Sequence, residues 1–160
     1  MKERMIPITC PHCGHVFEIK RDTVLIADID KVAEERLENG SYFMHQCQKC
    51  KNMFYLYYPF FYHDTKRKFN LILTQQKRIE NLNTDEKTIV CHTVTDFILA
   101  YKIYRHCLNP NIVLNKKKQL EKKLNKSINF SGYDKVNRCL WFEDKAILLS
   151  EEECRNILTL

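Results

Sequence analysis

Apolar and polar residues alternate in two short stretches near the start of the chain. Residues 5–9 (MIPIT) and 16–20 (VFEIK) show this period of two, which favours β-strands on either side of a cysteine pair. The apolar stretch 24–27 (VLIA) predicts a third strand. The pattern therefore predicts a β-hairpin with cysteines at its tip.

The period changes to that of an amphipathic helix over residues 29–39. Asp28 or Asp30 can cap the start of this helix, and Gly40 can end it. Its predicted apolar face consists of Val32, Ala33 and Leu37. Residues 42–46 then predict a strand that leads into a second cysteine pair.

Aromatic residues are dense over residues 52–73, which favours strands. Pro59 interrupts this run and predicts an edge position or a bend. Residues 63–68 (HDTKRK) predict a turn, and the strand that returns from it alternates through Phe69, Leu71 and Leu73. Residues 75–87 are polar and predict a connector.

The second half of the chain has a mixed helical and strand pattern. Asn109 followed by Pro110 predicts a helix start, and Ser150 with Glu153 forms a capping box at the start of a last helix. The other predicted elements are a strand at 88–93, a helix at 94–108, a helix from 110 to about 125 and a hairpin at 128–142.

Composition is that of a folded protein of 160 residues, with 44% hydrophobic residues, 3 Gly and 4 Pro. Neither a secretory h-region nor an apolar run of membrane-spanning length is present, so we expect a cytoplasmic protein. Eight cysteines in a reducing compartment favour metal binding or free thiols over disulfides.

Two C-x2-C motifs carry the most specific chemistry of the chain. They place Cys10 and Cys13 in one turn and Cys47 and Cys50 in another. Two such knuckles at facing hairpin tips supply the four thiolates of a structural Zn²⁺ site. Gly14 favours the tight backbone that directs amide N–H groups at sulfur.

Other interpretations of the four cysteines remain open. A redox dithiol is disfavoured because two pairs occur outside a thioredoxin-like βαβ setting. Iron is an alternative, because CPHCG is similar to a rubredoxin knuckle. Four thiolates leave no open metal position, and no H-E-x-x-H motif occurs, so we expect no enzyme activity at the metal.

The other four cysteines and the polar residues beside the knuckles are predicted to be ordinary core and surface residues. We expect ordinary core packing for the other four cysteines: Cys91, Cys107, Cys139 and Cys154. Four side chains beside the knuckles can offset the charge of the thiolates but are expected to be surface residues: His12, His15, Lys49 and Lys51.

The chain resembles the CpXC-domain family over roughly residues 6–125. The matching positions are Cys10, Pro11, Cys13, Gly14, Cys47, Cys50, Tyr62, His63 and Asp64. Gln48 and Lys51 stand where the family pattern has Pro and Gly. The resemblance implies a zinc-binding domain of bacteria and archaea and implies no substrate.

The neighbouring residues His63 and Asp64 are a candidate catalytic acid–base pair. Adjacent strand residues point to opposite faces, so we expect a turn role for Asp64 and Thr65 instead.

The net charge of +6 is concentrated in residues 115–126, which contain six Lys and one Glu. On a helix these residues form a lysine ridge, a possible nucleic-acid contact: Lys116, Lys118, Lys122, Lys123 and Lys126. A Lys-rich outer face also keeps a helix soluble.

The sequence thus predicts an α+β fold with zinc-ribbon hairpins, an inserted helix, an aromatic hairpin and a C-terminal part of helices and a hairpin. We expect two parts, residues 1–83 and 84–160, packed as one unit. The expected function is that of a non-enzymatic, zinc-binding adaptor with a protein partner. The alternatives are a nucleic-acid-binding zinc ribbon and a rubredoxin-like iron protein.

Overall fold

A computed structural model of the chain describes residues 3–77 and 86–159. These residues form four α-helices and eleven β-strands in small sheets, which confirms the α+β class. The chain divides into two compact units, Met1–Ile98 and Leu99–Leu160. The predicted division after residue 83 lies outside the described residues.

The first unit opens with the predicted hairpin. Strands β1 (Glu3–Thr9) and β2 (Val16–Asp22) pair antiparallel, and Thr9 lies opposite Val16 at the last rung before the tip. Cys10 to His15 form the tip, so the first cysteine pair lies at the end of a seven-rung ladder.

The inserted helix is also present. Strand β3 (Val24–Ile26) precedes α1 (Lys31–Glu38), and Asp30 is its N-cap because its carboxylate accepts from Ala33 N at 3.1 Å. The chain leaves the helix through Gly40, whose φ of +81° lies in the left-handed region that favours glycine.

The predicted apolar face of α1 needs a correction. Ala33 and Leu37 are buried, but Val32 is 67% exposed. Glu34 is buried instead, because its carboxylate accepts hydrogen bonds from the Tyr62 hydroxyl at 2.6 Å and from Asp28 N at 2.8 Å. These two donors offset the cost of removing a carboxylate from water.

A second hairpin follows the helix. Strands β4 (Met44–Gln46) and β5 (Met53–Tyr55) pair antiparallel, and residues 47–52 form their tip. The aromatic run 52–73 is therefore shared between two sheets, since β5 pairs with β4 and not with the strands that follow it. Pro59 lies exposed in the irregular connection after β5.

The central sheet contains the predicted aromatic hairpin. Strand β6 (Phe60–Asp64) pairs antiparallel with β7 (Phe69–Leu73). Asp64 is fully buried and holds the turn by accepting from Arg67 N at 2.8 Å, as the turn prediction requires. Strand β8 (Lys87–Cys91) completes a sheet of order β3-β6-β7-β8, in which the β3–β6 and β7–β8 pairs are parallel.

Aromatic rings fill the core of the first unit. Five rings lie with neighbouring centroids 5.0 to 6.0 Å apart, mostly edge to face: Tyr42, Phe43, Tyr58, Phe60 and Phe97. This geometry adds favourable ring contacts to the burial of large apolar surfaces.

Three helices belong wholly or largely to the second unit. Helix α2 (Val94–Arg105) continues from the first unit into the second, and α3 (Pro110–Leu124) begins at the predicted N-cap Asn109. Helix α4 (Glu151–Asn156) has the predicted capping box, with Ser150 and Glu153 satisfying each other's backbone N–H groups.

The predicted C-terminal hairpin is part of a three-stranded sheet. Strands β9 (Phe130–Asp134) and β10 (Cys139–Phe142) pair antiparallel, and β11 (Lys145–Leu148) adds a strand that the sequence pattern did not predict.

The second unit has an aliphatic and aromatic core of its own. The buried members are Ile103, Leu108, Val113, Leu120, Ile128, Phe130, Leu140, Phe142, Leu149 and Ile157. Within residues 3–77 and 86–159, none of the helices combines the length and apolar character needed to cross a membrane.

Candidate metal centre

The two hairpin tips of the first unit bring four cysteine sulfurs together. The Sγ atoms of Cys10 and Cys50 lie 3.7 Å apart, as do those of Cys13 and Cys47. All four sulfurs lie within 4.8 Å of one another. Each hairpin thus contributes two sulfurs, and both of these 3.7 Å contacts join one hairpin to the other.

Both tips have the same backbone hydrogen bonds. In the first knuckle, Cys10 N donates to His15 O and Gly14 N donates to Cys10 O, each at 2.9 Å. In the second, Cys47 N donates to Asn52 O and Lys51 N donates to Cys47 O, also at 2.9 Å. The replacement of the family's Pro and Gly by Gln48 and Lys51 therefore leaves the turn unchanged.

Amide donors point at the sulfurs, as predicted for such turns. His12 N donates to Cys10 Sγ at 3.4 Å, and the side-chain amide of Asn52 donates to Cys50 Sγ at the same distance. The backbone and side-chain N–H groups of Asn52 lower the pKa of Cys50 to about 6. A thiol with this pKa is largely thiolate at neutral pH, the form that binds metals.

The pKa values of Cys47 and Cys13 are shifted in opposite directions. The backbone N–H of Cys50 lowers the pKa of Cys47. The backbone N–H of His15 acts in the same direction on Cys13, but desolvation and the neighbouring cysteine sulfurs together raise its pKa to about 11. A cation bound among the four sulfurs would displace the protons of those cysteines that are still thiols.

An aromatic layer joins the two hairpins beside the sulfurs. Phe17 of β2 stacks on His45 of β4, with ring centroids 5.0 Å apart, and meets Phe54 of β5 edge-on at 6.4 Å. His15 stacks on the same Phe17 ring at 5.8 Å. Burial lowers the pKa of His45, which keeps its ring neutral within this layer.

The geometry of the four sulfurs fits a tetrahedral metal ion. Sulfurs placed about 2.3 Å from a central Zn²⁺ form a tetrahedron with edges of about 3.8 Å. The two contacts of 3.7 Å between the hairpins match this value, and the remaining sulfur pairs lie within 4.8 Å. Cys10 and Cys47 are buried while Cys13 is exposed, so the centre lies at the surface with one side covered by protein.

The comparisons with known proteins agree with this geometry. The family model described as CpXC protein matches residues 8–135, which is most of the chain. The chain belongs to the CpXC family. Comparison with the curated proteins and with the solved structures found no match. Membership of the CpXC family and the four-cysteine cluster together indicate a capacity for metal binding.

The other cysteines lie apart from this cluster. Among the described residues, the four-cysteine group is the one set of His, Cys, Asp and Glu side chains that converges with metal-binding geometry. Cys91 and Cys139 are buried, and burial raises the pKa of Cys91 to about 12. Cys107 and Cys154 are half-buried.

The polar residues beside the knuckles occupy the surface. His12, Lys49 and Lys51 are exposed, and His15 is half-buried against Phe17. The two lysines add positive charge close to a centre that would carry about −2 if four thiolates held one divalent cation.

His63 and Asp64 do not form an acid–base pair. Asp64 points into the core and forms an ion pair with Arg67 Nη1 at 3.0 Å. His63 Nδ1 faces the other way, against Asn70 Oδ1 and, at 3.5 Å, Glu86 Oε2. The alternation of strand side chains accounts for this separation.

The five residues of the lysine ridge are not equivalent. Lys116 is bound to Glu153, with Nζ and Oε2 3.0 Å apart. The other four are exposed and have no acidic partner among the described residues: Lys118, Lys122, Lys123 and Lys126. These four residues are called the exposed lysine row below.

Proposed function

We propose that the protein is a non-enzymatic binding protein in which one structural Zn²⁺ ion holds the first unit together. The ligands are Cys10, Cys13, Cys47 and Cys50. The proposal rests on the approach of the four sulfurs to tetrahedral spacing at two hydrogen-bonded knuckles. We further propose that the protein acts in the cytoplasm, where free thiols and thiolate metal sites persist.

A structural role follows from the ligand set. Four thiolates fill a tetrahedral shell, so no position remains for water or substrate. The ion would join residues 10–13 to residues 47–50, and it would connect two hairpins whose own strands contain only seven and three rungs. A two-stranded hairpin is marginally stable alone, so such a connection would supply stability where the core is small.

The surface of the second hairpin supports a binding role for the first unit. Met44 and Tyr55 are cross-strand partners, and Met53 lies on the same face. Their exposed fractions are 36, 49 and 50%. Neighbouring exposed apolar side chains are a feature of protein-binding surfaces, so we propose a protein partner at this face.

Elemental analysis and one cysteine substitution test the metal proposal. The purified protein is expected to be colourless and to contain one equivalent of zinc. Cys47→Ser should lose the zinc and lower the melting temperature of the first unit, because the remaining three ligands leave the shell incomplete. Cys154→Ser is the matched control, since Cys154 lies outside the cluster.

Two outcomes would contradict the proposal. If the purified protein is red and contains iron, the centre is rubredoxin-like and does not hold zinc. Full zinc content and unchanged melting in Cys47→Ser would show that the knuckles do not hold a structural ion.

A further inference from the structure

The positive charge of the protein is concentrated in the second unit. Residues 99–160 contain 12 Lys and Arg and 7 Asp and Glu, a net charge of +5 out of the total of +6. The first unit is close to neutral by comparison. A local excess of this size attracts polyanions over distances of about 10 Å at ordinary ionic strength.

The exposed lysine row concentrates that charge along one helix. Lys118 and Lys122 are one helical turn apart, and Lys126 follows the C-cap Asn125. The neighbouring Lys116 and Lys117 are neutralised by Glu153 and Glu121, at 3.0 and 2.9 Å. The charges that remain available therefore belong to the outward row and not to the whole helix.

The same unit presents an open aromatic side chain. Trp141 on β10 is 37% exposed, although Trp is one of the costliest side chains to leave in water. Its cross-strand partners are Gly132 and Ala146, which are too small to cover an indole ring. The indole N–H donates to Asp134 Oδ2 at 3.3 Å, which fixes the edge of the ring.

The surface of the sheet at Gly132, beside this ring, is not covered by any side chain of the described residues. A Cβ atom built on Gly132 would meet no heavy atom within 4 Å. Gly132 does not have a positive φ, so its conformation does not explain the choice of glycine at this position. A flat ring can therefore lie on the sheet at Gly132, against the indole of Trp141.

We propose that the second unit binds single-stranded nucleic acid. An unpaired base stacks on Trp141 above Gly132, and phosphates further along the same strand contact the exposed lysine row. Stacking needs a free base face, which a duplex does not offer, and lysine ammonium groups serve as point charges for phosphate.

The C-terminal end of the exposed lysine row lies close in sequence to Gly132. Gly132 lies six positions after Lys126, a span of at most about 20 Å. Folds that bind single strands through basic and aromatic side chains contact roughly 4–16 nucleotides. We therefore expect an oligonucleotide of this length to extend from Lys126 to Trp141.

This inference rests on the proposed function only in that the protein is taken to be a binding protein. It assigns a partner class to the second unit, and it does not depend on the metal. Zinc content is measured on every sample, so that loss of nucleic-acid binding and loss of the metal are separate results.

Intrinsic fluorescence provides a direct test, because Trp141 is the single tryptophan of the chain. The full-length protein is titrated with oligo-dT and oligo-U at low and at physiological salt. We expect quenching of Trp141 emission, and an affinity that falls with a salt slope of about −3 for four lysine–phosphate contacts.

Three variants assign the binding surface. Lys118/Lys122/Lys126→Glu should abolish binding. Lys31/Lys66/Lys77→Glu makes the same change in net charge on exposed lysines of the first unit and should bind normally. Gly132→Val should keep the strand folded, because valine favours strands. Its side chain should cover the sheet surface beside Trp141 and weaken binding about tenfold.

Four results would overturn the proposal. These are binding without quenching, equal loss of binding in the two triple variants, unchanged binding by Gly132→Val, and duplex DNA or anionic vesicles bound as tightly as the single strands. Absence of binding at low salt would overturn it as well.

Discussion

Lys51 occupies, in the second knuckle, the position that Gly14 occupies in the first. Both residues have a left-handed backbone, with φ of +64° and +76°. Glycine adopts this conformation without penalty, whereas a residue with a Cβ atom pays about 1–2 kcal/mol. The second knuckle therefore keeps its geometry at a conformational cost that the first does not carry.

Lys51→Gly should consequently stabilise the metal-loaded protein by about 1 kcal/mol. Urea denaturation, followed by a probe of the first unit, measures the change. Lys49→Gly is the matched control in the same knuckle, since Lys49 has no positive φ and should gain nothing from glycine. Equal effects of the two substitutions would contradict the conformational explanation.

Asn52 supports the thiolate of Cys50 through a side-chain hydrogen bond of 3.4 Å. Its backbone and side-chain N–H groups hold the pKa of Cys50 at about 6, below the ordinary thiol value of 9.0. Asn52→Ala removes the side-chain donor, so this pKa should rise and protons should displace the metal at a higher pH. A pH titration with a chromogenic zinc indicator, with Gln48→Ala as control, measures the shift; identical release curves would refute it.

The four cysteines of the site could be predicted from the sequence, but the role of Asn52 beside them could not. The C-x2-C spacing predicts all four sulfurs because two cysteines three residues apart belong to one turn. The contribution of Asn52 was missed, because an asparagine after a knuckle looks like any turn residue until its amide is placed against Cys50. The exposure of Trp141 depends on its cross-strand neighbours Gly132 and Ala146, which follow from strand register.

Helix α4 is held mainly by contacts at its N-terminal end. The helix has only six residues and contains no buried residue. Its capping box at Ser150 and Glu153 and the ion pair of Glu153 with Lys116 hold its start. An isolated helix of this length is unstable in water, so these contacts must supply what propensity cannot.

Ser150→Ala should lower the free energy of unfolding of the second unit by about 1 kcal/mol at neutral pH. The backbone N–H of Ser150 and the contact with Lys116 lower the pKa of Glu153 below its ordinary value of 4.5. The contribution of ionised Glu153 to the free energy of unfolding is therefore fully present above pH 4.5. It is lost as the pH falls through the lowered pKa of the folded state. Thermal melts at neutral and acidic pH, with exposed Ser127→Ala as control, test both statements; equal melting of the two variants would contradict them.

Elements with local signals were predicted, and those defined by distant contacts were not. The cap at Asn109, the capping box and the antiparallel hairpins have residues that mark them in the sequence. Strand β11 was missed because the turn before it contains Glu143 in a left-handed conformation, φ +56°, where no Gly or Asn announces it. The parallel pairs β3–β6 and β7–β8 join strands distant in sequence, and no local pattern specifies such partners.

At the scale of the whole molecule, the two units differ in how they are stabilised. The first combines an aromatic core with two hairpins whose tips meet at four cysteine sulfurs. The second has a continuous apolar core that includes none of those cysteines. We propose that a structural zinc ion holds the hairpins of the first unit.

Hydrogen–deuterium exchange of the full chain, before and after zinc chelation, tests this role of the zinc ion. Chelation is expected to raise exchange strongly in β1, β2, β4 and β5, while the amides of α3 keep their protection. The reason is that the hairpin tips lose their common ligand and the core of the second unit does not. Unchanged exchange in the hairpins, or an equal loss of protection in α3, would contradict a structural role of zinc in the first unit.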